Sequence, residues 1–151
     1  MEKLVYFDYA ATTPVRPEAA EALIAALGQF GNPSSRYGYA RQAAQRVRED
    51  RESLAQALGC APGEVYFTSC GTEGDNWAIR RGAELNRRRG KHIITTAIEH
   101  AAVLETCKDL ERQGYEVTYL KPDRAGRITV EQLTAALRPD TALVSMMLVN
   151  N

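Results

Sequence analysis

The chain has 151 residues, of which 44% are hydrophobic and 25% are charged, and this composition is typical of an ordinary globular domain. Nineteen basic and nineteen acidic side chains cancel, so no net field favours nucleic acid or an anionic membrane surface. No apolar run approaches the ~20 residues that a membrane-spanning helix needs. We therefore predict a cytoplasmic protein that has no membrane partner and no direct nucleic-acid partner.

The three cysteines exclude two further kinds of site. Cys60, Cys70 and Cys107 are odd in number and widely spaced, which fits neither a disulfide framework nor a CxxC metal or redox motif. We predict reduced thiols and no metal site.

Helical and strand-like segments alternate along the chain, and this alternation predicts the fold class. We expect an α/β fold with three layers, in which a mainly parallel sheet carries helices on both faces. The strand-like segments are 4–7, 65–68, 92–96, 116–120 and 142–149. Helical periodicity is present in the segments that carry Leu23 and Leu27, Val47 and Leu58, Trp77 and Leu85, Val103 and Leu110, and Leu133 and Leu137.

The first candidate site follows the strand-like segment 65–68. Residues 69–73 read Ser-Cys-Gly-Thr-Glu at the start of a predicted helix, where exposed amides bind phosphate well. Gly71 would let the backbone approach a ligand closely, and the Thr72 hydroxyl would add a hydrogen bond. The alternative is a plain helix cap in which Thr72 and Asp75 bond to each other's backbone amides.

Two more candidates follow later strands. His100 comes just after the strand that ends near Thr96, where an imidazole can stack on a planar cofactor or relay a proton. The alternative for His100 is a surface or capping residue. Asn150 and Asn151 follow the last apolar segment, and their amides fit either a cofactor hydroxyl or an ordinary polar turn. The other histidine, His92, opens a strand and looks structural.

Taken together, the segments resemble a known family. The matching pieces, in chain order, are YFDYAATTP at 6–14, GNPSS at 31–35, FTSCGTE at 67–73, EHAAV at 99–103 and VNN at 149–151. They resemble the cysteine desulfurases, in the class V branch of the fold-type I pyridoxal 5'-phosphate (PLP) enzymes. The resemblance covers the whole chain in the family's order.

The resemblance implies a PLP site with specific residue roles. It assigns the PLP phosphate to Gly71 and Thr72, and the ring hydroxyl to Asn151. It places His100 stacked on the pyridine ring, where the imidazole is also a candidate for proton transfer. Residues 1–15 would belong to the small domain, and 16–151 to the N-terminal half of the PLP-binding large domain.

The resemblance also implies an activity. The family converts L-cysteine to L-alanine and passes the sulfur to an enzyme cysteine as a persulfide, for iron–sulfur clusters or tRNA thiolation. The full enzyme would be a homodimer that meets a sulfur acceptor or scaffold protein.

The family's PLP-linked lysine and nucleophilic cysteine lie in its later half, beyond Asn151. None of Lys3, Lys91, Lys108 and Lys121 matches that lysine. We therefore expect the N-terminal portion of such an enzyme, inactive alone, whose C-terminal half is on another chain or removed.

Two alternatives to a desulfurase stay open. One is another class V PLP enzyme, such as a selenocysteine lyase or an aminotransferase. The other is a non-catalytic truncated chain that acts as a dimerisation or assembly partner.

Overall fold

The computed structural model describes residues 5–150 of the chain. A boundary between Phe67 and Thr68 divides the chain into two compact units. Within the described residues, the first unit is helical and the second contains a parallel sheet. The predicted division at residue 15 into small-domain and large-domain parts stays a prediction.

The first unit contains two of the predicted helices. Helix α1 spans Pro17–Leu27 and helix α2 spans Gly38–Leu58, with a short 3-10 turn at Pro62–Glu64 after them. Gly59 ends α2 in the left-handed conformation, at φ 69°, which a residue without Cβ adopts at little cost. Among the described residues, no side chain of α1 is buried, so its apolar face predicted the helix correctly but packs against no core.

Two expected strands are absent from this part of the chain. Leu4 lies outside the described residues, and 5–7 form no strand; the Tyr6 hydroxyl instead donates to the carbonyl of Asp8 at 2.8 Å. The segment 65–68 also forms no strand. The Arg51 guanidinium, from α2, donates to the carbonyl of Val65 and lies over the Phe67 ring at 4.7 Å. The carbonyl of Val65 thus bonds to the Arg51 side chain and not to the backbone of a neighbouring strand.

The second unit is built on a three-stranded parallel sheet. Strands β1 (His92–Thr96), β2 (Glu116–Leu120) and β3 (Thr141–Val144) lie in the order β2-β1-β3. The helices are α3 (Gly71–Leu85), α4 (Ala101–Arg112) and α5 (Val130–Ala136). The α/β class with a mainly parallel sheet is confirmed. Because parallel crossovers are right-handed, the reversal of direction after β2 puts α4 and α5 on opposite faces of the sheet.

Strand β3 is shorter than its apolar sequence predicts. The prediction ran over 142–149, but the strand ends at Val144. The amide of Ser145 still donates to the carbonyl of Ile94 at 2.9 Å, whereas the amide of Met147 donates to the side chain of Glu99 at 2.9 Å. The chain therefore leaves the sheet once a carboxylate replaces the backbone carbonyl as acceptor.

Helices α3 and α4 cover one face of β1 and enclose the core. The core residues are Ile79, Ala83, Ile93, Val103, Cys107 and Leu110. Ile93 is completely buried, and burying a side chain of this size contributes about 1.5–3 kcal/mol. None of the described helices has the length and apolar character needed to cross a membrane.

Candidate cofactor site

Helix α3 presents its N-terminus at the end of the loop 69–73. Cys70 is the N-cap, and Gly71, Thr72 and Glu73 form the exposed first turn. The first amides of a helix have no acceptor within it, and they carry the positive end of the helix dipole. The turn is therefore a binding place for an anion such as a phosphate group.

The alternative cap by Thr72 and Asp75 is absent from the described structure, and the Glu73 carboxylate binds Ser69, just before the helix. The Glu73 carboxylate accepts from the backbone amide of Ser69 at 2.6 Å and from its hydroxyl at 2.7 Å. These bonds, the amide bond first, lower the pKa of Glu73. Glu73 therefore accepts from the Ser69 amide and does not occupy the amides of Gly71 and Thr72.

Gly71 has no structural reason to be a glycine. Its φ is not positive, and a Cβ added there would meet no atom within 4 Å. The protein's own packing would thus accept a side chain at this position. The open space over the backbone is what a ligand that approaches the amides of the turn would require.

The Cys70 thiol reports the electrostatics of the same turn. Its pKa is lowered, first by the backbone amide of Glu73, then by the Ser69 hydroxyl and the amide of Thr72. Groups that stabilise a thiolate also stabilise other anions. The first turn of α3 therefore favours negative charge.

His100 begins helix α4 and caps it. Its Nδ1 accepts from the backbone amide of Ala102 at 3.1 Å, so the capping alternative describes its local role correctly. A ring nitrogen that accepts a hydrogen bond carries no proton, which leaves Nε2 as the protonated nitrogen of the neutral ring. The exposed imidazole is thus held with an N–H donor on its outer side.

Thr72 and His100 line one cleft of about 540 Å³, between α3 and the start of α4. The same cleft is lined by Arg80 and Asp109, whose side chains pair at 2.6 Å. The Arg80 hydrogen bond, followed by that of Arg112, lowers the pKa of Asp109. The sequence-predicted phosphate turn and the predicted ring-stacking histidine therefore meet at one polar cleft.

The third predicted loop follows β3. Asn151 lies outside the described residues, so its predicted contact stays a prediction. Its neighbour Asn150 donates from Nδ2 to the carbonyl of Ile98 at 2.6 Å, which joins the loop after β3 to the loop after β1. In the described part of the chain, no group of three or more acidic, His or Cys side chains is placed to hold a metal ion.

A comparison with known families and proteins decides the relationship. The profile of the aminotransferase class-V family matches residues 5–151. The chain belongs to this family. It is 51% identical over 150 residues to the cysteine desulfurase IscS of Methanosarcina thermophila, covering 99% of this chain and 37% of that protein. The class-V chain thus spans a little over a third of this curated relative.

Solved structures of the same family share the fold. A NifS-like protein superposes with a TM-score of 0.91 and 42% identity, over 97% of this chain and 40% of that one. The structure of SspA in complex with cysteine superposes with a TM-score of 0.88 and 40% identity, over 96% of this chain and 42% of that one. The class-V fold assignment agrees with the sequence prediction.

Sequence reasoning gave no role to two buried residues in or just after β1 of this class-V chain. The hydroxyl oxygen of Thr95 is a buried side-chain polar atom without a hydrogen-bond partner in the described structure. Glu99 is 7% exposed and bonds to two separate segments. Glu99 belongs to the family-like segment 99–103, but a glutamate after a strand gives no local signal of burial. Thr95 looks like any other residue of a buried strand.

Proposed function

We propose that the chain is the N-terminal portion of a PLP-dependent cysteine desulfurase. The observation that carries this proposal is the shared cleft of Thr72 and His100, which joins an anion-binding helix N-terminus to an exposed aromatic ring. PLP is a phosphorylated aromatic ring, and this pair of contacts fits its phosphate and its ring. Relatives named cysteine desulfurase, and the related structure of SspA in complex with cysteine, support the choice of reaction.

The phosphate group would bind at the first turn of α3. The amides of Gly71 and Thr72, and the Thr72 hydroxyl, are the donors that we assign to it. The space where a Cβ of Gly71 would stand is open, so the residues present fit the group. Thiolate stabilisation at Cys70 supports the same conclusion from electrostatics.

The ring would lie against the imidazole of His100, and Asn151 would contact its hydroxyl group. His100 keeps Nδ1 occupied by the amide of Ala102, so a proton is available at Nε2. We assign to Nε2 the secondary role of holding or moving a proton near the substrate. The helix cap fixes which ring nitrogen accepts and which carries the proton, since the ring cannot turn without losing the bond to Ala102.

PLP, when bound, supplies the electron sink that labilises bonds in an amino-acid substrate. The overall reaction we propose takes L-cysteine and a protein thiol to L-alanine and a protein persulfide, which balances without an added oxidant or reductant. We do not assign the thiol to Cys70, which lies at the phosphate turn, or to Cys107, which is buried and whose pKa is raised to about 11. The nucleophile belongs to the family's later half.

The same holds for the lysine that links to PLP. Lys91 opens the far end of β1 and lies 5.7 Å from the ring centroid of Tyr115, while Lys108 pairs with Glu105 at 2.7 Å. Lys121 follows the carboxyl end of β2, and is the position to test. We propose that the 151-residue polypeptide alone neither links to PLP nor turns over cysteine.

The wider assignments belong to the same proposal. The complete enzyme would act as a homodimer, in the cytoplasm, and deliver sulfur to an acceptor or scaffold protein. These assignments rest on membership of the class-V family and on the relatives' names.

Binding is tested with pyridoxine 5'-phosphate, which lacks the aldehyde and so cannot react with lysines. Titration into the ¹⁵N-labelled chain is expected to shift the amide resonances of Gly71, Thr72 and His100. The Thr72→Val variant should bind more weakly, whereas Thr134→Val, an exposed threonine on α5, should bind like the unmodified chain. Absence of shifts at the cleft would overturn the proposed site.

Activity is tested with PLP and L-cysteine, with and without a polypeptide that carries the family's later half. We expect alanine and persulfide sulfur only from the mixture. Borohydride reduction of the lone chain with PLP should label Lys121 no more than the exposed Lys108. A preference for selenocysteine over cysteine would replace the desulfurase by a lyase, and release of an amino group to a keto acid would replace it by an aminotransferase.

A further inference from the structure

Glu99 is a buried acid at the carboxyl end of β1. It lies between Thr96, the last residue of that strand, and His100, the cap of α4, and its residue is 7% exposed. The Thr96 hydroxyl, itself buried, donates to Glu99 Oε1 at 2.7 Å. A buried carboxylate is costly unless donors satisfy it, so this placement calls for an explanation.

The second donor comes from a distant part of the chain. The backbone amide of Met147, 48 residues away in sequence, donates to the same Oε1 at 2.9 Å. Met147 follows β3, on the segment that leads to Asn150 and Asn151. One oxygen therefore joins the end of β1 to the loop that follows β3.

A second bond closes the same connection. Asn150 donates from Nδ2 to the carbonyl of Ile98, one residue before Glu99. The loop after β3 is thus held at two points, Met147 and Asn150, against the segment 98–99. His100 comes next in the chain, so its position relative to the loop after β3 depends on these bonds.

Both donors to Oε1 are neutral groups, and no salt bridge to Glu99 is present among the described residues. The carboxylate is therefore placed for its geometry as an acceptor, not to offset a cation. An amide oxygen at the same position could accept the same two bonds.

We propose that Glu99 is a positioning residue that fixes His100 and the loop after β3 relative to each other. Glu99 is not assigned a contact with the cofactor; it acts through the two segments that it joins. This inference rests on the proposed function, because the residue that Glu99 positions, His100, is the proposed contact of the ring. The phosphate turn of α3 is not joined by these bonds.

Three variants separate this role from general stability. Glu99→Ala removes the acceptor, and Glu99→Gln keeps an acceptor oxygen of the same shape. Glu84→Ala removes an exposed glutamate at the far end of α3, where its partner is Arg81, and serves as the matched control. We expect weaker binding of pyridoxine 5'-phosphate in Glu99→Ala, binding restored in Glu99→Gln, and unchanged binding in the control.

The decisive measurement compares two probes, pyridoxine 5'-phosphate and inorganic phosphate. Glu99→Ala should weaken the first by roughly tenfold, an effect typical of losing a group that orients a ligand-binding residue. Binding of inorganic phosphate at the turn of α3 should stay unchanged, because the bonds to Glu99 do not join that turn. Equal weakening of both probes, or a glutamine variant as weak as the alanine one, would overturn the proposal.

Amide exchange tests the connection without any ligand. In Glu99→Ala the Met147 amide should exchange roughly tenfold faster, while the Ser145 amide, bonded to the carbonyl of Ile94, should stay protected. If the alanine variant does not fold, Thr96→Val removes one donor and should weaken pyridoxine 5'-phosphate in the same direction. If the unmodified chain does not bind pyridoxine 5'-phosphate, the proposed function is refuted. If the exchange rate of the Met147 amide is unchanged in Glu99→Ala, the role of Glu99 is refuted.

Discussion

The Nδ1 of His92 lies 2.8 Å from the hydroxyl oxygen of Thr141, and this contact ties β1 to β3. The other ring nitrogen of His92 lies 2.8 Å from the hydroxyl oxygen of Thr118, on β2. One buried imidazole at the start of β1 therefore bridges all three strands, in agreement with the structural role expected for it. The hydroxyls can donate or accept, so the neutral ring satisfies both.

This bridge predicts a pH dependence of stability. The pKa of His92 is lowered, first by burial and then by the Arg138 guanidinium, while Asp140 and Glu116 act in the opposite direction. Because the unfolded chain binds the proton more readily, the contribution to stability is complete above the unfolded pKa of about 6.5 and is lost as the pH falls towards the lower folded value. Each unit of difference is equivalent to about 1.4 kcal/mol.

Urea unfolding between neutral and mildly acidic pH checks this prediction. His92→Gln keeps a polar planar group but does not titrate, so its stability should lack the part of the pH dependence that lies below about 6.5. The pKa values of Asp140 and Glu116 are lowered by Arg138, so both carboxylates stay ionised through this window. Identical pH profiles for the two proteins would contradict the assignment.

The orphaned hydroxyl of Thr95 gives a second prediction. Thr95 is completely buried, and its Oγ1 has no hydrogen-bond partner in the described structure. A buried polar group left unsatisfied costs about 1–3 kcal/mol. Thr95→Val replaces the hydroxyl by a methyl group on a β-branched side chain, and should therefore raise the free energy of unfolding by about 1 kcal/mol.

Thermal or urea unfolding measures this change, and Thr106→Val provides the contrast. The Thr106 hydroxyl is also buried, but it donates to the carbonyl of Ala102 at 2.7 Å, so its removal should not stabilise the chain. A destabilised Thr95→Val variant would mean that the hydroxyl has a partner in solution.

The sequence located the strands best where turn residues bound them on both sides. Strand β2 begins and ends as predicted, at Glu116 and Leu120, because Gly114 precedes its strand-like residues and Pro122 follows them. Strand β3 was predicted too long, since the apolar residues continue past Val144. Its end is set by the bond from Met147 to Glu99, and a contact across 48 residues leaves no local pattern.

The same limit applies to the cleft. Thr72 and His100 line one cleft as predicted, but strand ends do not explain it, because 65–68 forms no strand. The packing of α3 against α4 brings the two residues together. The sequence could not show that Arg51 would donate to the carbonyl of Val65, or that 65–68 would form no strand. β-Propensity favours extended backbone, whereas a strand also needs a neighbour with free backbone groups.

The two thiols of the second unit should differ widely in reactivity. Cys70 is exposed and its pKa is lowered by the amides of the α3 turn and by Ser69, whereas Cys107 is buried and its pKa is raised to about 11. Because the thiolate is the reactive form, iodoacetamide at neutral pH should modify Cys70 well before Cys107. Peptide mass spectrometry over time measures both rates.

The Ser69→Ala variant tests the cause of the difference. The Ser69 hydroxyl donates to Glu73 at 2.7 Å, lies 3.7 Å from the Cys70 sulfur and lowers the pKa of that thiol. Its loss should slow the alkylation of Cys70 at neutral pH and leave Cys107 unchanged. Inorganic phosphate at the same turn should slow the reaction further, through competition for the amides. Faster alkylation in the variant would show that Ser69 shields the thiol instead of activating it.

The two roles of His100 can be separated by substitution. His100→Ala removes both the cap of α4 and the aromatic ring, so it should lower the free energy of unfolding by about 1 kcal/mol, as loss of an N-cap does. It should also weaken pyridoxine 5'-phosphate binding by roughly twofold to twelvefold, the range that corresponds to an aromatic pair of about 0.5–1.5 kcal/mol.

His100→Asn restores one role without the other. Asparagine is a good N-cap, so its side-chain oxygen should accept from the Ala102 amide and recover the stability lost in the alanine variant. It has no ring to stack, so ligand binding should stay as weak as in His100→Ala. If the asparagine variant bound pyridoxine 5'-phosphate like the unmodified chain, the histidine would be a helix cap alone, and the ring of the ligand would have to be held by other residues.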